Sequence, residues 1–286
     1  MGSQHNAWRR WSVGAVIGAA ILFGVWSMTG FIERMVVFPA SRDLYRDPGS
    51  MGWAFEDVWL DVGAGERSHG WFIPIENARG VALFSHGNAG NIADRLESVS
   101  LLRAQGLSVF VYDYGGYGRS TGKASEARCY ADVRAAWRYL TEQRGIEPGR
   151  LLLFGRSLGG AVTCDIAVDV QPAGVIIEST FTSVPDLAGE MLPFVPMKWL
   201  VRTQFANKEK IGRIESPLLY VHSRDDTLIP FHHGRELFER ATAPKTFLEI
   251  RGGHNEGFVL SMDKYQAAWK AFLAPLLPAR TPDAAG

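Results

Sequence analysis

Cysteine is almost missing from this 286-residue chain, which holds only Cys129 and Cys164. Two thiols build no disulfide framework and no cysteine-based zinc site. Cys164 sits in a run of small residues and reads as a buried, inert thiol. Net charge is missing too, because 30 Lys and Arg offset 30 Asp and Glu. No basic run or stripe is present, so nothing points to a nucleic-acid partner. Internal repeats are absent, and the only biased tract is a short Pro/Ala tail at 279–286. What is present is ample apolar material. At 47% hydrophobic residues the chain can bury a sizeable core, in one large α/β domain or two small ones.

The apolar material is unevenly placed. Residues 11–32, WSVGAVIGAAILFGVWSMTGFI, contain no charge. As a helix these residues reach about 33 Å, close to the thickness of a bilayer core. Trp8, Trp11 and Trp26 fall near the expected headgroup levels. Arg9 and Arg10 precede the run, whereas Glu33 and Arg34 cancel after it. This asymmetry predicts a single-pass anchor with a cytoplasmic N-terminus and the body on the non-cytoplasmic side. A cleaved signal peptide is the competing reading, but its apolar core is usually shorter and ends in a small-x-small site. The expected organisation is an anchor at 1–34, a body at 35–278 and the tail at 279–286.

Within the body, short apolar runs alternate with helical patterns. Strands are expected at Phe55–Val62, Trp71–Ile75, Val81–Ser85, Leu107–Tyr112, Leu151–Phe154, Gly174–Ile177, Leu218–His222 and Thr246–Ile250. Helices are expected at Ile92–Gln105, Glu126–Arg144, from Leu158, near His233–Arg240 and at Met262–Leu277. From residue 81 the order is β-α-β-α, which implies a mainly parallel sheet with helices on both faces. The first two strands add an antiparallel edge. Residues 181–216 break the rhythm with several prolines and an apolar stretch, and read as a small cap. That cap is either a surface excursion or an apolar wall over a site.

Gly155-Arg156-Ser157-Leu158-Gly159 lies between a strand and a helix. G-x-S-x-G in that context is a nucleophile elbow, with Ser157 exposed on a strained turn. A serine hydroxyl needs a base nearby. Among the later histidines, His254 lies on a Gly-rich loop after the last strand and is the candidate base. His222 is inside a strand and reads as structural, and His232 and His233 open a helix as surface or capping residues. The acid should follow the strand at 218–222. Asp226 is the candidate, with Asp225 as a cap or salt-bridge residue and Glu178 as a third option. Two backbone N–H donors should face the developing oxyanion. Leu158, after the nucleophile, is one. Asn88 in the loop His86-Gly-Asn-Ala-Gly-Asn91 is the other. That loop lacks both the G-x-x-x-x-G-K-[ST] and G-x-G-x-x-G patterns of nucleotide sites. His86 and Asp113 read as loop braces.

Taken together, SHGNAGN at 85–91, DYGGYGRSTG at 113–122, GRSLGG at 155–160, DDTLIP at 225–230 and GGHN at 252–255 resemble the α/β-hydrolase superfamily. The resemblance runs from about residue 35 to 277. It is nearest to the membrane-anchored serine hydrolases that include depalmitoylating thioesterases and lysophospholipid or acylglycerol hydrolases, and VVFPASR at 36–42 also fits that group. It implies an α/β-hydrolase fold with an eight-stranded sheet. It further implies a Ser157–Asp226–His254 triad, with Asn88 and Leu158 at the oxyanion hole. Ser223 departs from the pattern, because relatives usually carry Gly there. The expected activity is hydrolysis of acyl esters or thioesters through an acyl-enzyme, on lipids or lipidated proteins, with no metal or organic cofactor required. The alternatives are a peptidase or amidase on the same fold, and a membrane-bound scaffold without turnover.

Overall fold

The computed structural model describes residues 30, 33–196 and 201–279. Apart from residue 30, the apolar run 11–32 expected to span a membrane lies outside the described residues. Among the described residues no helix is long and apolar enough to cross one. The tail at 279–286 is outside as well, except residue 279.

Eight strands form one sheet: β1 (Glu56–Gly63), β2 (Glu66–Ile73), β3 (Gly80–Ser85), β4 (Leu107–Tyr112), β5 (Leu151–Arg156), β6 (Gly174–Glu178), β7 (Leu218–Ser223) and β8 (Lys245–Ile250). Their order is β1-β2-β4-β3-β5-β6-β7-β8. β2 pairs antiparallel with β1 and with β4, and every other pairing is parallel. The expected antiparallel edge and parallel body are both present.

Among the described residues, six helices of eight or more residues flank the sheet: α1 (Leu96–Ala104), α2 (Glu126–Arg138), α3 (Leu158–Ala167), α4 (Val184–Met191), α5 (Phe231–Arg240) and α6 (Met262–Leu276). Side chains alternate across a strand, so the sheet builds a core on each face. Leu83, Phe110, Leu153, Ile177 and Tyr220 point to one side, where Val133 of α2 and Ala161 of α3 pack. Phe84, Val109, Phe154, Ile176 and Val221 point to the other, against Leu96 and Val99 of α1 and Trp269 of α6. Both faces are dry, which is why β3 to β7 read as nearly continuous apolar runs.

Two boundaries differ from expectation for physical reasons. β2 begins at Glu66 rather than Trp71. Its polar opening, Glu66-Arg-Ser-His69, hides a strand whose Ser68 and His69 are fully buried. Ser68 donates to Asp132 of α2, and His69 pairs with Asp57 at 2.6 Å. The helix expected to run to Arg144 keeps α geometry only to Arg138 and continues as a wider π turn over Tyr139–Gln143. Gly145, with φ of 62°, ends it.

The chain places β4 on one side of β3 and then β5 on the other, and this reversal of strand order makes a switch point at their carboxyl ends. β3, β5, β7 and β8 run parallel, so the loops that follow them emerge on one rim. Those loops carry residues 86–91, Ser157, Asp226 and His254.

Candidate active site

Ser157 joins β5 to α3 with φ of 56° and ψ of −122°, a left-handed backbone that costs about 1–3 kcal/mol for a residue with a Cβ. The surroundings hold it there. The Ser157 N–H donates to the Glu178 carbonyl at 2.9 Å, and the Ser157 carbonyl accepts from the Thr180 hydroxyl at 2.7 Å. The flanking glycines are required by space. A Cβ on Gly155 would collide with the Gly159 carbonyl, and a Cβ on Gly159 would overlap the Ser85 carbonyl oxygen. Helix and sheet therefore approach at backbone distance, and the serine turns sharply to bridge them.

His254 Nε2 lies 3.0 Å from Ser157 Oγ, and its Nδ1 lies 2.7 Å from Asp226 Oδ2. An ionised carboxylate can only accept, so Nδ1–H donates to it and Nε2 is left to accept the serine proton. Burial opposes charge on Asp226. The hydrogen bond and positive field of His254, with the Ile229 N–H, still hold its carboxyl below the ordinary carboxylate range. Asp226 Oδ1 accepts from the Leu228 and Ile229 N–H groups at 2.9 and 2.8 Å, which fixes its orientation. His222, buried beside it at 3.6 Å, donates from Nε2 to the Ile229 carbonyl. Burial pulls His222 down to about 4, so at neutral pH it is uncharged beside Asp226.

Of the three acids considered, the structure brings Asp226 to the histidine. Asp225 instead holds the loop that carries His254. It accepts from the Gly252 N–H at 3.1 Å and pairs with Arg251 at 3.2 Å. Glu178, the third option, has other partners. Its carboxylate instead pairs with Arg156 at 2.7 Å and accepts from Tyr265 at 2.6 Å, because two buried polar side chains reach it first. Ser223 does more than alter a turn. Its hydroxyl donates to the Gly252 carbonyl and accepts from the Asp225 N–H at 3.2 Å. The end of β7 thus clamps Gly252, two residues before His254. Nothing in the spacing of the sequence signals this clamp.

The loop after β3 lies against the serine: a Cβ on Gly87 would stand 3.5 Å from Ser157 Cβ. His86 and Asp113 brace it as expected. His86 Nδ1 meets the Gly87 carbonyl at 2.7 Å, and Asp113 accepts from the Ile92 N–H at 3.0 Å. Two tyrosines not singled out in the sequence add to the bracing. Tyr114 donates to the His86 carbonyl at 2.8 Å, and Tyr117 donates to the Asn88 carbonyl at 2.6 Å. C=O and N–H of a trans peptide point opposite ways, so a Gly87 carbonyl held by His86 turns the Asn88 N–H away from that ring. Among the described residues, neither the Asn88 nor the Leu158 N–H has an intramolecular acceptor. The arrangement contains a hydroxyl, a base, an orienting carboxylate and two free backbone donors.

The cap at 181–216 is mixed in character. Phe205 is fully buried against Phe38, Tyr130 and Phe181, whereas Met191, Leu192 and Phe194 are exposed, Phe194 at 99%. His232 is exposed as expected, but His233 is buried, because the first turn of α5 faces Thr182. Cys164 and Cys129 are buried free thiols, and burial pushes Cys164 up to about 12.

Comparison with known proteins agrees with this architecture. Residues 76–207 match the family model described as serine aminopeptidase, S33. The alpha/beta hydrolase domain-containing protein WAV2 of Arabidopsis thaliana is 31% identical over 297 residues, covering 94% of this chain and 96% of the relative. The human alpha/beta hydrolase domain-containing protein 17B is 38% identical over 183 residues, 63% of this chain and 62% of that protein. Among solved structures, the Pyrococcus furiosus esterase Pf2001 superposes with a TM-score of 0.70 at 17% identity, over 83% of this chain and 99% of the esterase. At that identity the likeness is one of fold.

Two outcomes follow from this geometry. Gly159→Ala should lower the thermal midpoint sharply or abolish cooperative unfolding, since overpacking against rigid backbone costs about 1–3 kcal/mol or more. Gly149→Ala, where the added carbon meets nothing within 4 Å, should leave the midpoint unchanged. Asp226 has a depressed folded pKa, so its stabilisation is complete above the unfolded carboxylate value and is lost as pH falls through the folded one. Asp226→Asn should therefore be less stable than wild type at pH 7 in chemical denaturation. The gap should close as pH drops through the carboxylate range, and a gap that persists unchanged would contradict the assignment.

Proposed function

From membership of the α/β-hydrolase superfamily, to which this chain belongs, we propose that it is a serine hydrolase. Its proposed substrates are carboxylic esters or thioesters of acyl groups. The observation that carries the reading is the continuous relay Ser157 Oγ–His254 Nε2, His254 Nδ1–Asp226 Oδ2. In the proposed mechanism, Ser157 Oγ attacks the acyl carbonyl while its proton passes to His254 Nε2. Asp226 steadies the imidazolium and remains ionised. The carbonyl oxygen becomes an oxyanion held by the Asn88 and Leu158 N–H groups, each worth about 10²–10³-fold in turnover. The tetrahedral intermediate collapses, and His254 returns the proton to the departing alcohol or thiol. Water then enters, gives its proton to His254 and attacks the acyl-enzyme. Collapse releases the acid and returns the proton to Ser157.

We further propose that residues 11–32 anchor the protein in a membrane, with the N-terminus cytoplasmic and the catalytic body on the other side. The uncharged length of the run and the Arg9-Arg10 flank support this. An anchored hydrolase with exposed Met191, Leu192 and Phe194 on its cap is suited to substrates with long acyl chains, on lipids or lipidated proteins.

A second reading, a peptidase, is favoured by the description of the matched family, serine aminopeptidase. The same relay would cleave an amide, with His254 protonating the leaving amine.

Turnover of p-nitrophenyl esters of rising chain length, set beside aminoacyl anilides, separates the two. The first reading expects preference for longer esters and a fall on the order of 10⁶-fold in Ser157→Ala. Preference for anilides would favour the second reading. Ester turnover undiminished in Ser157→Ala would remove both. For the anchor, the full chain should sediment with membranes and resist carbonate extraction, while a chain starting at residue 35 should not. Equal release of both would overturn the anchoring.

A further inference from the structure

The segment that leads from residue 33 toward β1 is not a free connection. Glu33 accepts from the Arg202 and Thr203 N–H groups of the cap at 3.1 and 2.6 Å. Phe38 is buried against Phe205, which packs in turn on Phe181. Beyond Phe38 the chain crosses from the cap to the loop after β3. Ala40 forms a parallel bridge with Gly90. The Ser41 N–H donates to the Gly90 carbonyl at 3.0 Å, and the Gly90 N–H donates to the Pro39 carbonyl at 3.3 Å. Asn91, fully buried, donates from Nδ2 to the Ser41 and Asp43 carbonyls at 3.3 and 2.7 Å. Its Oδ1 accepts from the Ala93 N–H at 2.8 Å, which fixes the orientation of the amide.

These contacts complete a pattern along the loop, where every carbonyl from His86 to Gly90 accepts a hydrogen bond. Tyr114 donates to His86, the His86 ring to Gly87, Tyr117 to Asn88, Arg95 to Ala89 and the Ser41 N–H to Gly90. Gly87 and Gly90, the latter at φ of 71°, give the loop a backbone with many alternative shapes. Such a backbone keeps one shape only while outside partners offset the entropy of ordering it. Four of the five partners are side chains. The fifth is the backbone at 39–41, which grips both polar groups of Gly90, two residues after Asn88.

We propose that residues 39–43 are a strap that positions the Asn88 N–H, and that Asn91 is the residue that fastens it. This role rests on the serine-hydrolase reading, in which that N–H holds the oxyanion. Both hydrogens of the Asn91 amide go to strap carbonyls and its oxygen goes to Ala93, so its part is positioning and not chemistry. Loosening the strap leaves the relay in place and lets the donor drift. A shift of about 1 Å in a positioned group can cost about 10²-fold in rate. The effect falls on the transition state, because the oxyanion needs this donor more than the ground-state carbonyl does.

Two full-length variants loosen the strap from opposite sides. Asn91→Asp keeps the acceptor for Ala93 and removes both donated bonds. Ser41→Pro removes the N–H that reaches Gly90, and the bridge-forming Ala40 before it has the extended backbone that precedes a proline. Active sites are counted by alkyl fluorophosphonate titration, and turnover of a p-nitrophenyl ester is expressed per titrated site. Both variants should lose at least about tenfold in kcat per site with KM unchanged. Affinity for a trifluoromethyl ketone should fall alongside, since its carbonyl oxygen becomes an oxyanion when Ser157 Oγ adds and His254 takes the proton. A purely structural loss would lower the number of sites and leave both per-site values at wild type. Hydrogen exchange in the wild type adds a readout that no variant can spoil: amides in peptides covering 40–43 and 89–91 should exchange more slowly than those of an unstructured chain. Wild-type kcat per site in both variants, or free exchange at 40–43, would overturn the proposal. Absence of ester turnover from the wild type would remove the hydrolase reading and this role together, whereas unaltered variants beside an inactive Ser157→Ala would remove this role alone.

Discussion

The structure turns on the close approach of α3 to the centre of the sheet. Where Gly155 leaves β5 and Gly159 enters α3, backbone meets backbone with no room for a methyl group. That contact forces the connecting residue into a left-handed turn. It also lifts the Ser157 side chain above the rim and points the N-terminal N–H groups of α3 toward the same space. Helix termini carry unsatisfied donors and partial positive charge, so the turn presents the Ser157 hydroxyl and the Leu158 N–H together.

The remaining groups reach that point because the parallel strands share a rim. Three loops converge on it, and each is braced by hydrogen bonds outside the relay. Tyr114 and Tyr117 hold carbonyls of the 86–91 loop. Ser223 and Asp225 grip both polar groups of Gly252. Leu228 and Ile229 fix Asp226. The relay residues are thus oriented by neighbours that do no chemistry, a requirement for preorganised charge stabilisation. Buried His222 stays neutral next to Asp226, which reserves that carboxylate for His254.

Much of this was legible in the sequence. Parallel strands buried on both faces are short apolar runs, so LSVFVY at 107–112 and LLLF at 151–154 mark themselves, and G-x-S-x-G between strand and helix marks the turn. Ser157, Asp226 and His254 could be named because chain order in this architecture limits the candidates. Residues whose meaning depends on distant partners were not legible. Glu66-Arg-Ser-His69 looks like a polar loop until Asp132 and Asp57 satisfy it inside a sheet. His233 looks like its exposed neighbour His232 until the cap folds over it. Ser223 looks like a neutral replacement for glycine until Gly252 lies beside it. In each case the sequence shows the polar group but not its partner, and polar periodicity carries no record of which contact will form.

In the proposed mechanism, the Ser157 hydroxyl is the group that His254 activates for attack. The decisive experiment is mass spectrometry of the protease digest after exposure to an alkyl fluorophosphonate. A single phosphonate adduct is expected on the peptide containing Ser157, with formation slowed severely when His254 is replaced by alanine. An adduct on another residue, or an unmodified Ser157 peptide in protein that still turns over esters, would contradict it.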